Sequence, residues 1–178
     1  MEYEGDQLMY NLEKYIRAVP DFPVPGVVFR DITPLLENHF IETINAMASL
    51  FDENEIAETD AFAGVDARGF IFAAGLARHF GKNFKMIRKA GKIPPPFSEI
   101  TYSTEYSSAG LQVSHGKGSL IIIDDVLATG GTLTAAADLC REAGFTVKAL
   151  AALIDLPFLR EQEYCWNGLK PRCLITYS

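Results

Sequence analysis

Leu120-Ile121-Ile122-Ile123 runs without a break into Asp124 and Asp125, and then into Ala128-Thr129-Gly130-Gly131-Thr132. A continuous apolar run with no polar alternation is the pattern of a strand covered on both faces, and such strands belong to parallel sheets packed between helices. The run is far too short to cross a bilayer. The residues after it are harder to explain by folding alone. Adjacent carboxylates repel, and a Gly-Gly pair weakens any element that contains it. The stretch is therefore either a tight strand-to-helix turn with exposed acids or a site whose ligand needs both features.

The rest of the chain alternates in the way such a sheet requires. Short apolar strands are expected at 61–65, 84–87, 110–114, 119–124, 146–154 and 172–177, with helices at 70–80 and 131–143. Ahead of them, Leu8, Leu12, Tyr15, Ile16 and Val19 have helical spacing behind Asp6, and Ile41, Ile44, Met47, Ala48 and Phe51 restart a helix behind Asn38. Between these two, residues 20–34 hold four prolines and a glycine, which excludes a helix interior or a central strand. Residues 89–110 show no clear period and are expected to lack regular structure. With 178 residues, 48% of them hydrophobic, the chain suits one globular domain with a real core. The fold class expected is α/β: a mostly parallel central sheet flanked by helices, with an extra N-terminal piece.

A net charge of -7 argues against non-specific binding to DNA or RNA, which rests on basic patches neutralising phosphates. It leaves room for a small phosphorylated ligand held by local charge. No basic-then-apolar leader opens the chain, and no apolar run spans a membrane. Cys140, Cys165 and Cys173 are odd in number and lack metal-ligand spacing, and the three histidines are scattered singly. Reduced thiols in the cytoplasm are the expectation.

Ligands of open α/β sheets bind beyond the carboxyl ends of the strands, where strand order reverses. Asp124 and Asp125 fall at such an end. The glycines after them let main-chain N–H groups converge at a helix amino terminus, a phosphate cradle to which Thr129 and Thr132 add hydroxyls. A Walker loop is excluded, because no Lys enters this turn. Two acids beside a phosphate cradle suit a ligand that also presents a vicinal diol, as a ribose phosphate does. Arg68, in Asp66-Ala67-Arg68-Gly69, and the run Arg88-Lys89-Ala90-Gly91-Lys92 offer cations for further phosphate charge.

These segments resemble the type I phosphoribosyltransferases, in the variant of their adenine branch. "IIIDDVLATGGT" resembles the family's phosphoribosyl pyrophosphate motif, and "FPVPGVVFRDITP" (22–34) its base-binding hood. "GVDARGF" (64–70), "IRKAGKIP" (87–94) and "YSTEYS" (102–107) agree with it in order, across roughly residues 20–135. The stretch after Pro157 matches weakly and carries no functional reading.

The resemblance implies transfer of a phosphoribosyl group from phosphoribosyl pyrophosphate to adenine, giving AMP and pyrophosphate, with Mg2+ carried mainly by pyrophosphate and water rather than by direct protein ligands. Asp124 and Asp125 would hold the ribose hydroxyls, and Ala128, Thr129, Gly130, Gly131 and Thr132 the 5-phosphate. Asp66, Ala67, Arg68, Arg88, Lys89 and Lys92 would hold the pyrophosphate, with Arg68 also assisting catalysis and the Asp66–Ala67 peptide often cis in the family. Val28, Phe29 and Arg30 would hold adenine, and Glu105 would handle the proton of the base. On this reading residues 1–178 form one phosphoribosyltransferase domain, with 1–35 contributing the hood and 89–110 a flexible loop that closes over the site. A homodimer is implied, in which Arg88 reaches the partner's pyrophosphate site; nucleic acid and membrane partners are not. One departure is Pro94-Pro95-Pro96, where relatives commonly carry a glycine, so the hinge of the loop is expected to be stiffer.

Two other readings stand beside this one. A non-catalytic sensor of phosphoribosyl pyrophosphate would need a nucleic-acid surface, for which the acidic chain shows no basic recognition helix. A 6-oxopurine transferase would carry a further Asp at the place of Ala128.

Overall fold

The computed structural model describes residues 12–103 and 108–177. The chain divides into two compact units, one up to Met47 and one from Ala48 onward. The N-terminal piece expected at 1–35 lies within the first.

In the first unit, a 3-10 turn at Leu12–Tyr15 leads to β1 (Arg17–Pro20), β2 (Val28–Asp31), α1 (Thr33–Asn38) and α2 (Phe40–Ala48). β1 and β2 form an antiparallel hairpin in which Arg17 faces Asp31 and Val19 faces Phe29. The Arg17 guanidinium lies 2.6 Å from the Asp31 carboxylate, and the Gly26 N–H donates to Asp21 Oδ1 at 2.8 Å to close the turn. The helix expected through Val19 is thus corrected: the chain leaves its helical turn at Tyr15 and becomes a strand at Arg17. Pairing with β2 outweighs the local 3.6-residue period, and Pro20 could not have continued a helix. Asp6 and Leu8 lie outside the described residues. The helix expected behind Asn38 is present as α2, but it ends at Ala48, short of the expected Phe51.

The second unit opens with α3 (Glu53–Ala57), capped by Asp52, whose Oδ1 accepts the Glu55 N–H at 2.8 Å. There follow β3 (Ala61–Val65), α4 (Gly69–Phe80), β4 (Asn83–Lys89), β5 (Phe97–Ser103), β6 (Ser108–Ser114), β7 (Gly118–Leu127), α5 (Gly131–Glu142), β8 (Phe145–Asp155) and β9 (Arg172–Thr176). One seven-stranded sheet has the order β5-β6-β4-β3-β7-β8-β9. β4, β3, β7, β8 and β9 are mutually parallel, whereas β6 is antiparallel to both β4 and β5.

The expectation that 89–110 lacks regular structure needs correction as well, since β5 and the start of β6 lie within it. The hairpin runs in register from Phe97 opposite Ser114 to Ser103 opposite Ser108. Ile100 and Tyr102 pack on the core while Glu99 and Thr101 face outward, a two-residue alternation that the flanking prolines and serines obscure in the sequence.

Leu120 to Ile123 are at most 1% exposed, as a strand covered on both faces requires. The chain places β4 on one side of β3 and later β7 on the other. Strand order therefore reverses between β3 and β7, and their carboxyl ends mark the place where this architecture binds ligands.

Candidate active site

Beyond the end of β3 the chain turns through Asp66, Ala67 and Arg68 into α4, and the Asp66–Ala67 peptide is cis. A Cβ on Gly69 would sit 2.7 Å from the Ile123 carbonyl oxygen, so only glycine lets the first turn of α4 press against β7. That approach carries Arg68 to the neighbouring strand end, where its Nε lies 2.8 Å from Asp125 Oδ2. Asp66 turns the other way: its Oδ2 accepts from Arg88 Nε at 3.3 Å and from the Lys89 N–H at 3.4 Å. Arg88 also lies over the Phe70 ring, 5.9 Å from its centroid.

Asp124 and Asp125 are both buried near the carboxyl end of β7, which runs on to Leu127 rather than ending at Asp124 as expected, and Asp124 Oδ1 accepts the Asp125 N–H at 2.8 Å. Burial, and then the Asp125 charge beside it, push the Asp124 carboxyl well above the ordinary carboxylate range. Arg68 opposes this shift without cancelling it. A buried acid pair facing one cation is poised to hold hydroxyl groups and to sit near further positive charge.

The turn after the acids reaches α5 through Gly130 at φ +93°, a conformation open to glycine, and α5 begins at Gly131. The first N–H groups of a helix have no partner inside it, so those of this turn are free to converge on an anion. Thr132 Oγ1 is 3.3 Å from the Tyr102 hydroxyl, which links β5 to the cradle.

Three residues that support the cradle were not legible as site residues. Arg160 donates to the Ala128 carbonyl at 3.0 Å and to Asp155 Oδ2 at 2.9 Å, bracing the turn from behind. The Tyr164 ring lies where a Gly130 side chain would be, its Cδ2 2.2 Å from an ideal Cβ, and its hydroxyl is 3.0 Å from Thr134 Oγ1. Tyr102 is the third. Together with Thr129, Gly130 and Gly131 they line a cleft of about 820 Å³. The signal that could have found Arg160 is its position just beyond the end of β8, the strand next to β7.

The structure thus brings Asp66, Ala67, Arg68, Asp124, Asp125 and residues 128–132 together at the switch point. Arg88 and Lys89 are joined to them through Asp66, and Lys92 follows in the turn after β4. Glu105 lies outside the described residues. In the other unit Val28 is exposed, and Phe29 meets Phe22 edge-on at 5.2 Å between ring centroids, with Arg30 next on the strand. Among the described residues no cluster of three or more His, Cys, Asp or Glu could hold a metal ion, and no helix is long and apolar enough to cross a membrane. Burial pushes the Cys140 and Cys173 thiols up to about 12, which makes them poor nucleophiles.

Residues 35–172 match the phosphoribosyl transferase domain family. An adenine phosphoribosyltransferase of Bdellovibrio bacteriovorus is 45% identical over 168 residues, covering 94% of this chain and 99% of its own. Among solved structures, the adenine phosphoribosyltransferase of Thermoanaerobacter pseudethanolicus superimposes with a TM-score of 0.83 at 34% identity, over 94% of this chain and 100% of that one. The Saccharomyces cerevisiae enzyme, solved with an imino-altritol bisphosphate and adenine, gives 0.79 at 30% identity over 92% of this chain and 96% of that one. The chain belongs to the adenine phosphoribosyltransferase family.

Proposed function

We propose that the protein transfers the 5-phosphoribosyl group of phosphoribosyl pyrophosphate to adenine, forming AMP and pyrophosphate in purine salvage. The observation that carries the reading is the buried Asp124–Asp125 pair, faced by Arg68 at 2.8 Å and running into the Gly130 turn at the start of α5. The two carboxylates accept hydrogen bonds from the ribose diol, and residues 128–132 take the 5-phosphate on main-chain N–H and hydroxyl donors. Arg68, Lys89 and Lys92 surround the pyrophosphate, where negative charge builds as the C1–O bond breaks ahead of attack by the base nitrogen. The hard carboxylate oxygens of Asp124 and Asp125 would suit Mg2+ but are too few to enclose it, so the ion would be held mainly by pyrophosphate and water. When bound, it neutralises charge on the departing group.

Phe29 stacks on the adenine ring, with the Val28 and Arg30 main chain reading its edge, and Glu105 takes the proton that the base loses. Segment 89–110 closes over the bound substrates. A homodimer in the cytoplasm completes the reading. It is supported by exposed apolar residues on α4 and β4, namely Ile71, Phe84 and Met86.

The test compares kcat/KM for adenine, hypoxanthine and guanine with phosphoribosyl pyrophosphate and Mg2+. Ala128 leaves no carboxylate to take the N7 proton of a 6-oxopurine. A site that hydrogen-bonds the adenine edge rejects the mismatched edge by ~10⁴-fold or more. Strong turnover of adenine alone is expected, and comparable rates with hypoxanthine would overturn the reading.

A further inference from the structure

Gln112 stands in the middle of β6 and is only 3% exposed, on the face opposite its buried apolar neighbours Leu111 and Val113. A buried amide is costly unless both of its ends are bonded, and a position used only for packing would be apolar. Both ends of Gln112 are committed. The Gly91 N–H can only donate, so the amide oxygen is the atom that faces it, at 2.9 Å. This orientation turns the amide nitrogen to Glu99 Oε2, to which it donates at 2.6 Å. Arg88, Gln112 and Glu99 form one cross-strand row, with Gln112 opposite Arg88 on one side and Glu99 on the other.

Gly91 belongs to the turn that carries Lys89 and Lys92. The turn has two further ties: the Ala90 N–H donates to the Gly110 carbonyl at 2.9 Å, and the Lys89 N–H reaches Asp66 Oδ2 at 3.4 Å. Of these anchors, Gln112 is the one whose side chain grips the loop itself between the two lysines, and Glu99 fixes that side chain from the far strand.

We propose that Gln112, oriented by Glu99, is a positioning residue that sets the Lys89–Lys92 turn for pyrophosphate. The proposal rests on the assignment of that turn to the pyrophosphate group. Substrate never touches Gln112; its effect passes through the Gly91 N–H to the two flanking ammonium groups. Loosening the turn therefore weakens binding of the pyrophosphate-bearing substrates and leaves adenine and AMP alone.

The experiment measures KM for all four substrates on the full-length protein, with thermal melts of each variant. Gln112→Leu keeps the volume and deletes both bonds. It should raise KM for phosphoribosyl pyrophosphate and pyrophosphate about tenfold and leave adenine and AMP within about twofold. Gln112→Glu sets a second carboxylate against Glu99 and should show the same selective defect. Adding Glu99→Gln to Gln112→Glu exchanges the partners: the carboxylate now at 112 accepts the Gly91 N–H, and the amide at 99 donates to it. KM should then return to within about threefold of the parent. Glu99→Ala, changed at the surface, carries the same test at about threefold should Gln112→Leu fail to fold.

A uniform rise for all four substrates, a fall in Tm alone, or no rescue by the exchange would overturn the proposal. Lys89→Ala with Lys92→Ala separates it from the reading beneath. If that variant leaves pyrophosphate binding unchanged, the assignment of the turn falls and the proposal with it. If it weakens pyrophosphate binding while Gln112→Leu does not, the clamp alone is wrong.

Discussion

Asp124 shows at the scale of one residue how the site works against the fold. Burial raises its carboxyl above its value in the unfolded chain, so the native state holds a proton more firmly. Above that raised value the buried charge destabilises the protein, and the penalty fades as pH falls toward the ordinary carboxylate range. Asp124→Asn removes the charge while its amide oxygen can still accept the Asp125 N–H. Tm should therefore rise at pH 8, with the gain shrinking as the pH approaches 4. On the proposed function the same change deletes a charged acceptor for the ribose hydroxyls, worth ~1.5–3 kcal/mol, and should raise KM for phosphoribosyl pyrophosphate about 10- to 100-fold. Melts at both pH values together with kinetics check this, and a lower Tm at pH 8 would mean that the carboxylate is satisfied within the protein. The acids were legible in the sequence because everything that makes them odd is local: the apolar run before them and the glycines after. Arg160 and Gln112 were not, because each takes its meaning from a partner 32 or 21 residues away.

At the scale of elements, the start of α5 is shaped by the segment that follows β8. Gly130 is needed twice, once for φ +93° and once because Tyr164 fills the space of its side chain. The left-handed backbone alone costs a non-glycine residue ~1–2 kcal/mol. Gly130→Ala adds a contact at 2.2 Å, so the loss of stability should exceed that figure. In a Tyr164→Ala background the steric part disappears, and urea melts of the four proteins should give a coupling of ~0.5–3 kcal/mol. Additive energies would show that the ring simply moves aside. This dependence is invisible locally, just as β1 is invisible behind a helical period that runs on to Val19 although the helical turn itself ends at Tyr15. The β5–β6 hairpin is a different case. Its alternation was present at Ile100 and Tyr102, but it is short and sits behind three prolines.

For the whole molecule, the parallel sheet was legible because four fully apolar residues in a row admit few alternatives. The switch point was not, since which strand lies beside β3 is decided by pairing between distant segments. The second copy of the chain is the remaining question at this scale. Phe84, Met86 and Arg88 alternate along one face of β4, and Phe70 joins them, edge-on to Phe84 at 5.9 Å and under the Arg88 guanidinium. The exposed apolar face therefore ends at a residue tied to Asp66 of its own chain, the residue for which the family resemblance implies a reach to a partner's pyrophosphate. Sedimentation should give twice the mass of the chain, and Phe84→Glu with Met86→Glu should give a monomer that has lost most of its turnover. Mixing decides which subunit Arg88 serves. Arg88→Ala and Asp125→Ala chains should each be nearly inactive alone. Re-associated in equal amounts, half the dimers are mixed, and each mixed dimer holds one site with Asp125 from one chain and Arg88 from the other. Activity should then recover to roughly a quarter of the parent. No recovery would assign Arg88 to its own chain, where its bond to Asp66 already places it beside Lys89.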